Sequence, residues 1–372
     1  MLDEISFTKR QGIARTMLID WSKGPMREPF ILGGYAGTGK TTLLSHVISQ
    51  DLGYKPNNIL YCAYTGKAAQ VMKSKGMNAH TIHSSIYDYD IDDDFNVRQE
   101  LKEDLDDIEL IVVDEASMAD PDIRRDLESF GIPIIYVGDK GQLDPVGGSR
   151  GSNIMARPHI NLDEIMRQEA SSGIIIASQM CRQNEKIPMG KIGKDFCQFP
   201  KKESNNIKTL NWADVVLCAT NRTRHRVNRQ IREYRGYEGD IPEEGERLVC
   251  LKNNRDMLIN NGMTGTVEKI LEVNVSTISI KFKPDGYEES FELIVDKNTF
   301  NGEVPENPDK RRAYFDFGYC LSVHKSQGSE YPNVVIIEER LPGSNLKEHN
   351  RWKYTAITRA SRKCLLIGRG TR

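Results

Sequence analysis

Residues 34–41 read Gly-Tyr-Ala-Gly-Thr-Gly-Lys-Thr and satisfy the pattern G-x-x-x-x-G-K-[ST] at every fixed position. An apolar segment, 30–32, precedes the run, and helix-spaced apolar residues follow over 42–48. In that setting the glycines let backbone N–H groups turn inward around a phosphate chain, and the following helix adds its positive N-terminus. Lys40 would reach the β- and γ-phosphates and the Thr41 hydroxyl would sit on Mg²⁺, with Gly34, Gly37, Thr38, Gly39 and Thr42 completing the cradle. A mere glycine-rich turn before an ordinary helix would not fill every fixed position as well as both flanks. A second chemical feature is Asp114-Glu115, placed directly after the apolar run 110–113. Its shape is that of a Walker B element, in which Asp114 holds the Mg²⁺ shell and Glu115 orients or deprotonates an attacking water. Gln142, in the polar loop after an apolar run at 132–137, could sense a γ-phosphate or be an ordinary loop residue. Gln11, in a helix expected over 9–21, could read an adenine edge with both halves of its amide; alone, it reads as a surface residue.

These side chains need strands to carry them. Apolar runs at 30–32, 58–64, 110–113 and 132–137, separated by helical patterns, predict an α/β sheet, where ligands bind beyond the strands' carboxyl ends. The polar turn 65–69 falls at such a place, while the small polar cluster 80–84 gains weight only from its neighbours. Residues 85–109 turn acidic and alternate around Asp92, Asp93 and Asp94, which fits either a hairpin with that tip or a solvated acidic loop. The α/β pattern restarts near 165, with a helix at 174–180, a basic connector of little regular structure at 182–209 and a strand at 212–219. A helix at 221–232 carries Arg222, Arg224, Arg226, Arg229 and Arg232, a candidate phosphate-tracking face or a solvated surface. Residues 245–300 alternate as half-buried strands do and predict a small inserted barrel. Helix and strand patterns then return, with Arg359 at the end of a helix over 352–360.

The whole chain, 372 residues, suits roughly two to three domains at about 150 residues each. Its 38% hydrophobic and 28% charged content is that of a globular protein with a polar surface. No apolar run has the length of a membrane span, and no signal peptide is apparent at the N-terminus, so a cytoplasmic protein is the expectation. None of the seven cysteines forms a C-x-x-C pair, which favours buried free thiols over disulfides or a zinc site. A formal net charge of −2 does not announce a nucleic-acid binder, so any such binding must come from a local surface.

In motif order the chain resembles the superfamily 1 helicases, in particular the 5′-to-3′ branch with Dda-like and RecD-like members. The resemblance runs from Gln11 to Arg362 and rests on 34–41, Val-Val-Asp-Glu-Ala-Ser (112–117), Gly-Asp-Lys-Gly-Gln-Leu (138–143), Val-His-Lys-Ser-Gln-Gly-Ser-Glu (323–330) and Tyr-Thr-Ala-Ile-Thr-Arg-Ala (354–360). It implies two RecA-like P-loop domains in tandem with ATP in the cleft between them: 1–164 with a pin-like hairpin insertion at 85–109, then 165–240 with 315–372, and an SH3-like β-barrel inserted at 241–314. It makes Gln11 the adenine reader, Gln142 the γ-phosphate sensor, and Arg167 and Arg359 arginine fingers, with Gly328 and Glu330 also at the nucleotide. Thr65, Lys67, His83, Ser84, Ser322, His324 and Lys325 match the DNA-facing motifs, and Gln327 and Glu330 would link the DNA track to the ATP site. Ser322 stands where the family often has Thr, which keeps the hydroxyl. The acidity of 85–109 departs from what is expected beside DNA; Phe95 is the wedge candidate there.

The activity implied is an ATP- and Mg²⁺-dependent DNA helicase that moves 5′-to-3′ on single strands, unwinds forked DNA and works as a monomer, with a single-strand-binding protein or replisome component as a further partner. Two alternatives stand beside it: a single-strand translocase that strips proteins and unwinds weakly, and a regulatory nucleotide-binding module without hydrolysis. Lys40, Glu115, Gln142, Arg167 and Arg359 are all present, which argues against the last.

Overall fold

A computed structural model describes residues 6–25, 28–64, 66–74, 76–91, 97–119, 121–143, 153–166, 171–254, 256–257, 259–302, 304–306, 308–340 and 343–368. The chain divides into two compact units, 1–171 and 172–372. Among the described residues no helix is long and apolar enough to cross a membrane.

The first unit runs α1 (Lys9–Lys23), β1 (Phe30–Gly34), α2 (Lys40–His46), β2 (Ile59–Ala63), α3 (Gly66–Ser74), β3 (Ala79–Thr81), α4 (Ile82–Ile86), β4 (Tyr87–Ile91), β5 (Val97–Leu101), β6 (Leu110–Val113), α5 (Pro121–Ser129), β7 (Ile134–Gly138) and β8 (Ile160–Leu162). Six strands form a parallel sheet in the order β3-β2-β6-β7-β1-β8. Successive side chains of a strand point to opposite faces. Along β6, Leu110 and Val112 accordingly join Leu18 of α1 and Leu43 of α2 in one core, while Ile111 and Val113 join Ile82 of α4 and Leu127 of α5 in another. Both faces are covered, which is why β6 and β7 read as unbroken apolar runs.

The acidic stretch is a hairpin: β4 and β5 pair antiparallel from Tyr87 opposite Leu101 to Ile91 opposite Val97. Its tip, with Phe95, lies outside the described residues. The base is tied to α5 by a hydrogen bond between the Tyr87 hydroxyl and the Asp126 carboxylate, and to the end of α4 by the Lys102 N–H, which donates to Ile86 O at 2.9 Å.

The second unit runs α6 (Gly173–Arg182), β9 (Gly190–Ile192), β10 (Phe196–Pro200), α7 (Ile207–Trp212), β11 (Val215–Cys218), α8 (Asn221–Arg235), β12 (Arg247–Cys250), β13 (Thr264–Val273), β14 (Thr277–Pro284), β15 (Phe291–Asp296), β16 (Phe315–Phe317), β17 (Cys320–Ser322), β18 (Tyr331–Ile337), α9 (Leu346–Ile357) and β19 (Ala360–Gly368). Its first sheet has the order β17-β11-β18-β19-β10-β9, parallel except for β9. Residues 182–209, expected to be a connector, supply two of these strands and α7. Phe196 and Gln198 of β10 are buried against β19, but the strand is short and flanked by Lys and Gly, so it carries little pattern of its own. Trp212, expected in a strand, ends α7 instead, because Asn206 caps a helix there by accepting the Thr209 N–H.

The all-β stretch folds as an antiparallel sheet in the order β15-β14-β13-β12-β16. Two register shifts in β13 bend it. Just before β16, Ala313 bonds back to the far strand: its N–H donates to Ile294 O at 2.7 Å and its carbonyl accepts from Asp296 N at 3.0 Å. The buried residues of this sheet, such as Val267, Phe282 and Phe315, share one core with Val216 and Val227 of the parallel part. Six of the seven cysteines are buried, Cys197 is half-buried, and all are free.

Helix α8 holds the two crossings between these sheets. Arg224, Asn228 and Arg232 lie four residues apart on one face and are buried, so the expected phosphate-tracking face is partly an internal clamp. Arg232 grips the outgoing segment: its guanidinium donates to the Glu246 carboxylate at 2.8 Å, to Ile241 O at 2.9 Å and to Gly239 O, and lies over the Phe317 ring. Asn228 grips the returning one, donating to Phe317 O at 2.9 Å and accepting from Cys320 N at 2.7 Å. Breaking a buried ion pair from one side is strongly destabilising. Glu246→Gln is expected to lower the unfolding free energy by about 3 kcal/mol in denaturant titration, with Arg222→Gln on the exposed side of α8 near zero as control.

Candidate functional site

The loop 34–41 leaves the carboxyl end of β1 and enters α2. Gly37 and Gly39 take φ of 74° and 71°, a left-handed conformation that favours glycine. A Cβ on Gly34 would stand 2.8 Å from Cγ of Lys40 and 2.9 Å from Oγ1 of Thr38, so the lysine folds back over the loop only because residue 34 has no side chain. Lys40 Nζ donates to Gly34 O at 2.9 Å and Tyr35 O at 3.1 Å. The ammonium is thus held inside the loop, at the place a phosphate chain would occupy.

Strands β6, β7 and β1 are neighbours, so the loops after them emerge side by side. After β6 come Asp114, whose Oδ1 accepts the Glu115 N–H at 2.8 Å, and Glu115, at a φ of 52°. A non-glycine residue in the left-handed region stores strain of a kind that gathers at functional sites. After β7, buried Asp139 organises a tight turn: its Oδ1 accepts the Gly141 N–H at 2.7 Å and its carbonyl accepts the Gln142 N–H at 3.2 Å. Gln142 is buried in that turn.

Gln11 is buried rather than on the surface. It completes a capping box at the start of α1, its Oε1 accepting the Thr8 N–H at 2.9 Å, while its Nε2 donates to Thr38 O at 3.0 Å and meets Met166 Sδ at 3.2 Å. One half of the amide therefore caps α1 and the other ties it to the loop. Met166 was not singled out from the sequence. Its N–H donates to Gly37 O at 3.0 Å and its side chain stands against Gly39. Its place directly before Arg167 was the available signal. Arg167 and Thr65 lie outside the described residues, and Lys67 sits in the first turn of α3.

Beyond β2 and β3, at the same sheet edge, the His83 ring meets Tyr64 edge-on at 6.4 Å, and Ser84 Oγ donates to Thr81 O at 3.0 Å.

The second unit gathers its own set. Arg359 is buried, with Nε donating to Thr355 O at 3.1 Å and Nη1 to Ser329 O at 3.2 Å. The helix-end arginine and the turn 328–330 are thereby joined across the sequence. Gly328 takes a φ of 69°, and Glu330 is exposed beside it. Ser322 Oγ accepts the Lys325 N–H at 3.4 Å. Burial pushes the His324 imidazole below its usual value and the Lys325 ammonium down to about 8, the latter helped by Arg224 and opposed by Asp316.

A glycine-rich loop that holds a lysine at the carboxyl end of a doubly covered parallel sheet has the form of a P-loop. Residues 26–192 match the AAA domain family and residues 317–367 the UvrD-like helicase C-terminal domain family. The chain is 27% identical over 360 residues to the ATP-dependent RecD2 DNA helicase of Deinococcus radiodurans, covering 89% of this chain and 45% of that protein. It is 36% identical over 121 residues to the ATP-dependent DNA helicase dda of Enterobacteria phage T4, covering 31% of this chain and 28% of that one. It therefore spans less than half the length of either relative. A crystal structure of Pif1 helicase from Bacteroides in complex with ADP-AlF3 and ssDNA shares the fold, with a TM-score of 0.54 at 17% identity over 98% of this chain and 92% of that one. Within its class the chain resembles the superfamily 1 helicases of the Dda-like and RecD-like kind.

Proposed function

We propose that this protein is an ATP-dependent DNA helicase that translocates 5′-to-3′ on single-stranded DNA and unwinds forked duplexes. The observation that carries the reading is the edge of the first sheet, where the Lys40 loop, Asp114-Glu115 and Gln142 emerge from three adjacent strands. A helicase function is supported by the match of 317–367 and by the relatives' activities. The two parallel-sheet parts are read as RecA-like domains, 1–164 and 165–240 with 315–372; the antiparallel sheet as an SH3-like barrel inserted at 241–314; and the hairpin within 85–109 as the strand-separating pin.

In this reading Lys40 holds the β- and γ-phosphates with the backbone donors of 37–42, Gln11 reads the adenine, and Gln142 reports the γ-phosphate. Glu115 orients the attacking water and takes its proton. Arg359, and Arg167 with it, neutralises charge that develops only in the transition state. Mg²⁺ would be held by Thr41 and Asp114. Among the described residues no group of three or more His, Cys, Asp or Glu is placed to hold a metal ion. One carboxylate and one hydroxyl suit this cation, which keeps waters and substrate oxygens in its shell. When bound it would neutralise phosphate charge. Thr65, Lys67, His83, Ser84, Ser322, His324 and Lys325 contact the DNA backbone, which carries no sequence information. A single-strand-binding protein or replisome component remains a proposed partner, and the monomer the proposed working form.

The deciding measurement compares ATP-driven strand separation on duplexes with either a 5′ or a 3′ single-stranded tail. Unwinding is expected from the 5′ tail. Unwinding confined to the 3′ tail would overturn the polarity, and neither tail being opened while ATP is hydrolysed would leave a translocase in its place.

A further inference from the structure

The second unit carries a cavity of about 560 Å³ that the nucleotide and DNA roles above do not use. That volume lies within the range of ligand pockets, roughly 300–1,000 Å³. Arg229 and Glu233 line it from the exposed flank of α8, and Glu238 and Asp240 from the segment that leaves this helix. Its floor is aromatic: the buried rings of Phe300 and Phe317 stand with their centroids 5.0 Å apart. Asp316 of β16 lines it as well. This carboxylate is 1% exposed and forms an ion pair with Arg224, whose Nη2 atom stands 3.0 Å from Oδ2. Oδ2 nevertheless receives no hydrogen bond, while the same nitrogen donates to His225 Nε2 at 3.3 Å.

We propose that this cavity seats an arginine side chain from a basic segment of a partner protein, between the two crossings that join the antiparallel sheet to α8. The proposal goes beyond the helicase reading and does not depend on it.

The sign of the guest follows from the wall groups whose charge is not already answered. Arg232 pairs with Glu246 at 2.8 Å, and Asp316 with Arg224. The His225 imidazole, pushed below its usual value chiefly by burial, adds no charge at neutral pH. Glu233, Glu238 and Asp240 remain without an ion pair among the described residues, against Arg229 alone. Three carboxylates against one guanidinium favour a cation over a nucleic-acid phosphate. Exposed carboxylates hold a cation only weakly, however, so the choice among cations falls to the floor and to Asp316. The molecule itself shows what suits that floor: the Arg232 guanidinium carbon lies 3.9 Å from the centroid of the Phe317 ring. A planar guanidinium stacks on a ring face and forks to a carboxylate, and a strongly hydrated ammonium does neither as well. Its N–H groups supply the donor that Asp316 Oδ2 lacks, and a buried acceptor without a donor costs free energy that such a guest recovers. Arginine is also a common anchor of protein interfaces.

The probe is labelled penta-arginine, with penta-lysine and penta-glutamate beside it. Penta-arginine should bind about tenfold more tightly than penta-lysine, and penta-glutamate should not bind. Glu238→Gln combined with Asp240→Asn, both on exposed side chains, should weaken penta-arginine about fivefold. Arg229→Ala removes the opposing cation and should tighten it about twofold. Phe300→Leu keeps the floor apolar without a ring face and should erase the preference for arginine over lysine. Glu272→Gln combined with Glu292→Gln removes the same charge from exposed positions of β13 and β15 and should change nothing.

The experiment is fluorescence anisotropy with the full chain at about 0.15 M salt, on variants whose melting has been checked. A loss confined to the 238/240 variant, with an arginine preference that Phe300→Leu removes, supports the proposal. Equal losses in the two double variants would show that the peptide follows net charge alone. Equal affinity for the two basic peptides, or a preference that survives Phe300→Leu, would take the floor out of the site. Each of these results overturns the proposal, as does the absence of penta-arginine binding. If Phe300→Leu does not fold, the contrast between the two double variants and the arginine preference decide together. Labelled oligo-dT is measured on the same variants: weaker single-strand binding in Arg229→Ala, with penta-arginine indifferent to the 238/240 change, would assign the cavity to nucleic acid and overturn the proposal too.

Discussion

Lys40→Ala is expected to lower ATP turnover by about 10³-fold and to abolish strand separation with it. The ammonium rests inside the loop on Gly34 O and Tyr35 O, so a bound phosphate chain would take its place and draw it off both carbonyls. The alanine variant keeps the left-handed glycines and the backbone donors, and nucleotide affinity should fall less than turnover does. Single-turnover hydrolysis beside equilibrium nucleotide binding makes the distinction. Strand separation that survives in Lys40→Ala would sink the proposed function, because no other described element could drive it.

Arg359→Ala should cost about 10³–10⁵-fold in DNA-stimulated turnover with nucleotide affinity nearly unchanged, the signature of a charge that acts only in the transition state. The side chain also has a structural duty, donating to Ser329 O and Thr355 O. Arg359→Lys separates the two. A lysine keeps the charge but not the planar fork, so an interaction that needs two aligned donors is lost while most of the local electrostatics stays. If both variants melt early yet hydrolyse ATP at the wild-type rate, Arg359 belongs to the packing of α9 and not to the chemistry.

Much of the architecture was legible because short β-branched apolar runs that end abruptly in polar residues, separated by helical patterns, favour the strands of a covered parallel sheet. The run 110–113 followed by Asp114 and Glu115 is the clearest case: every residue of β6 is buried, and the acids fall at its end. The hairpin was left open between two readings, since alternation in a stretch this acidic suits a solvated loop as well as paired strands. Residues 196–200 were missed for the opposite reason. Their strand is held by pairing with β19, at the other end of the chain, and a pattern of five residues cannot announce a partner so distant. The arginines of α8 were counted as one basic face because charge alone does not reveal which side of a helix is covered. Arg224 and Arg232 are buried by segments that return from far along the chain, and neither Asp316 nor Glu246 stands out as their partner in one dimension. Gln11 was placed by its position ahead of the loop, but its capping box with Thr8 is local and could have been read from the spacing alone.

The grip of α8 on both crossings has a consequence for how this chain can be cut or recombined. An inserted domain joined by two slack linkers is a cassette: it can be removed, exchanged or grafted, and the host closes over the gap. Here the excision of the antiparallel sheet, β12 to β16, would strip Val216 and Val227 of their packing, leave Arg224 as a buried cation without Asp316 and take the Phe317 ring from Arg232. The inherited unit is therefore larger than the insert. It includes the face of α8 at positions 224, 228 and 232, and any exchange between relatives that keeps the host helix while replacing the insert would have to carry those three residues with it.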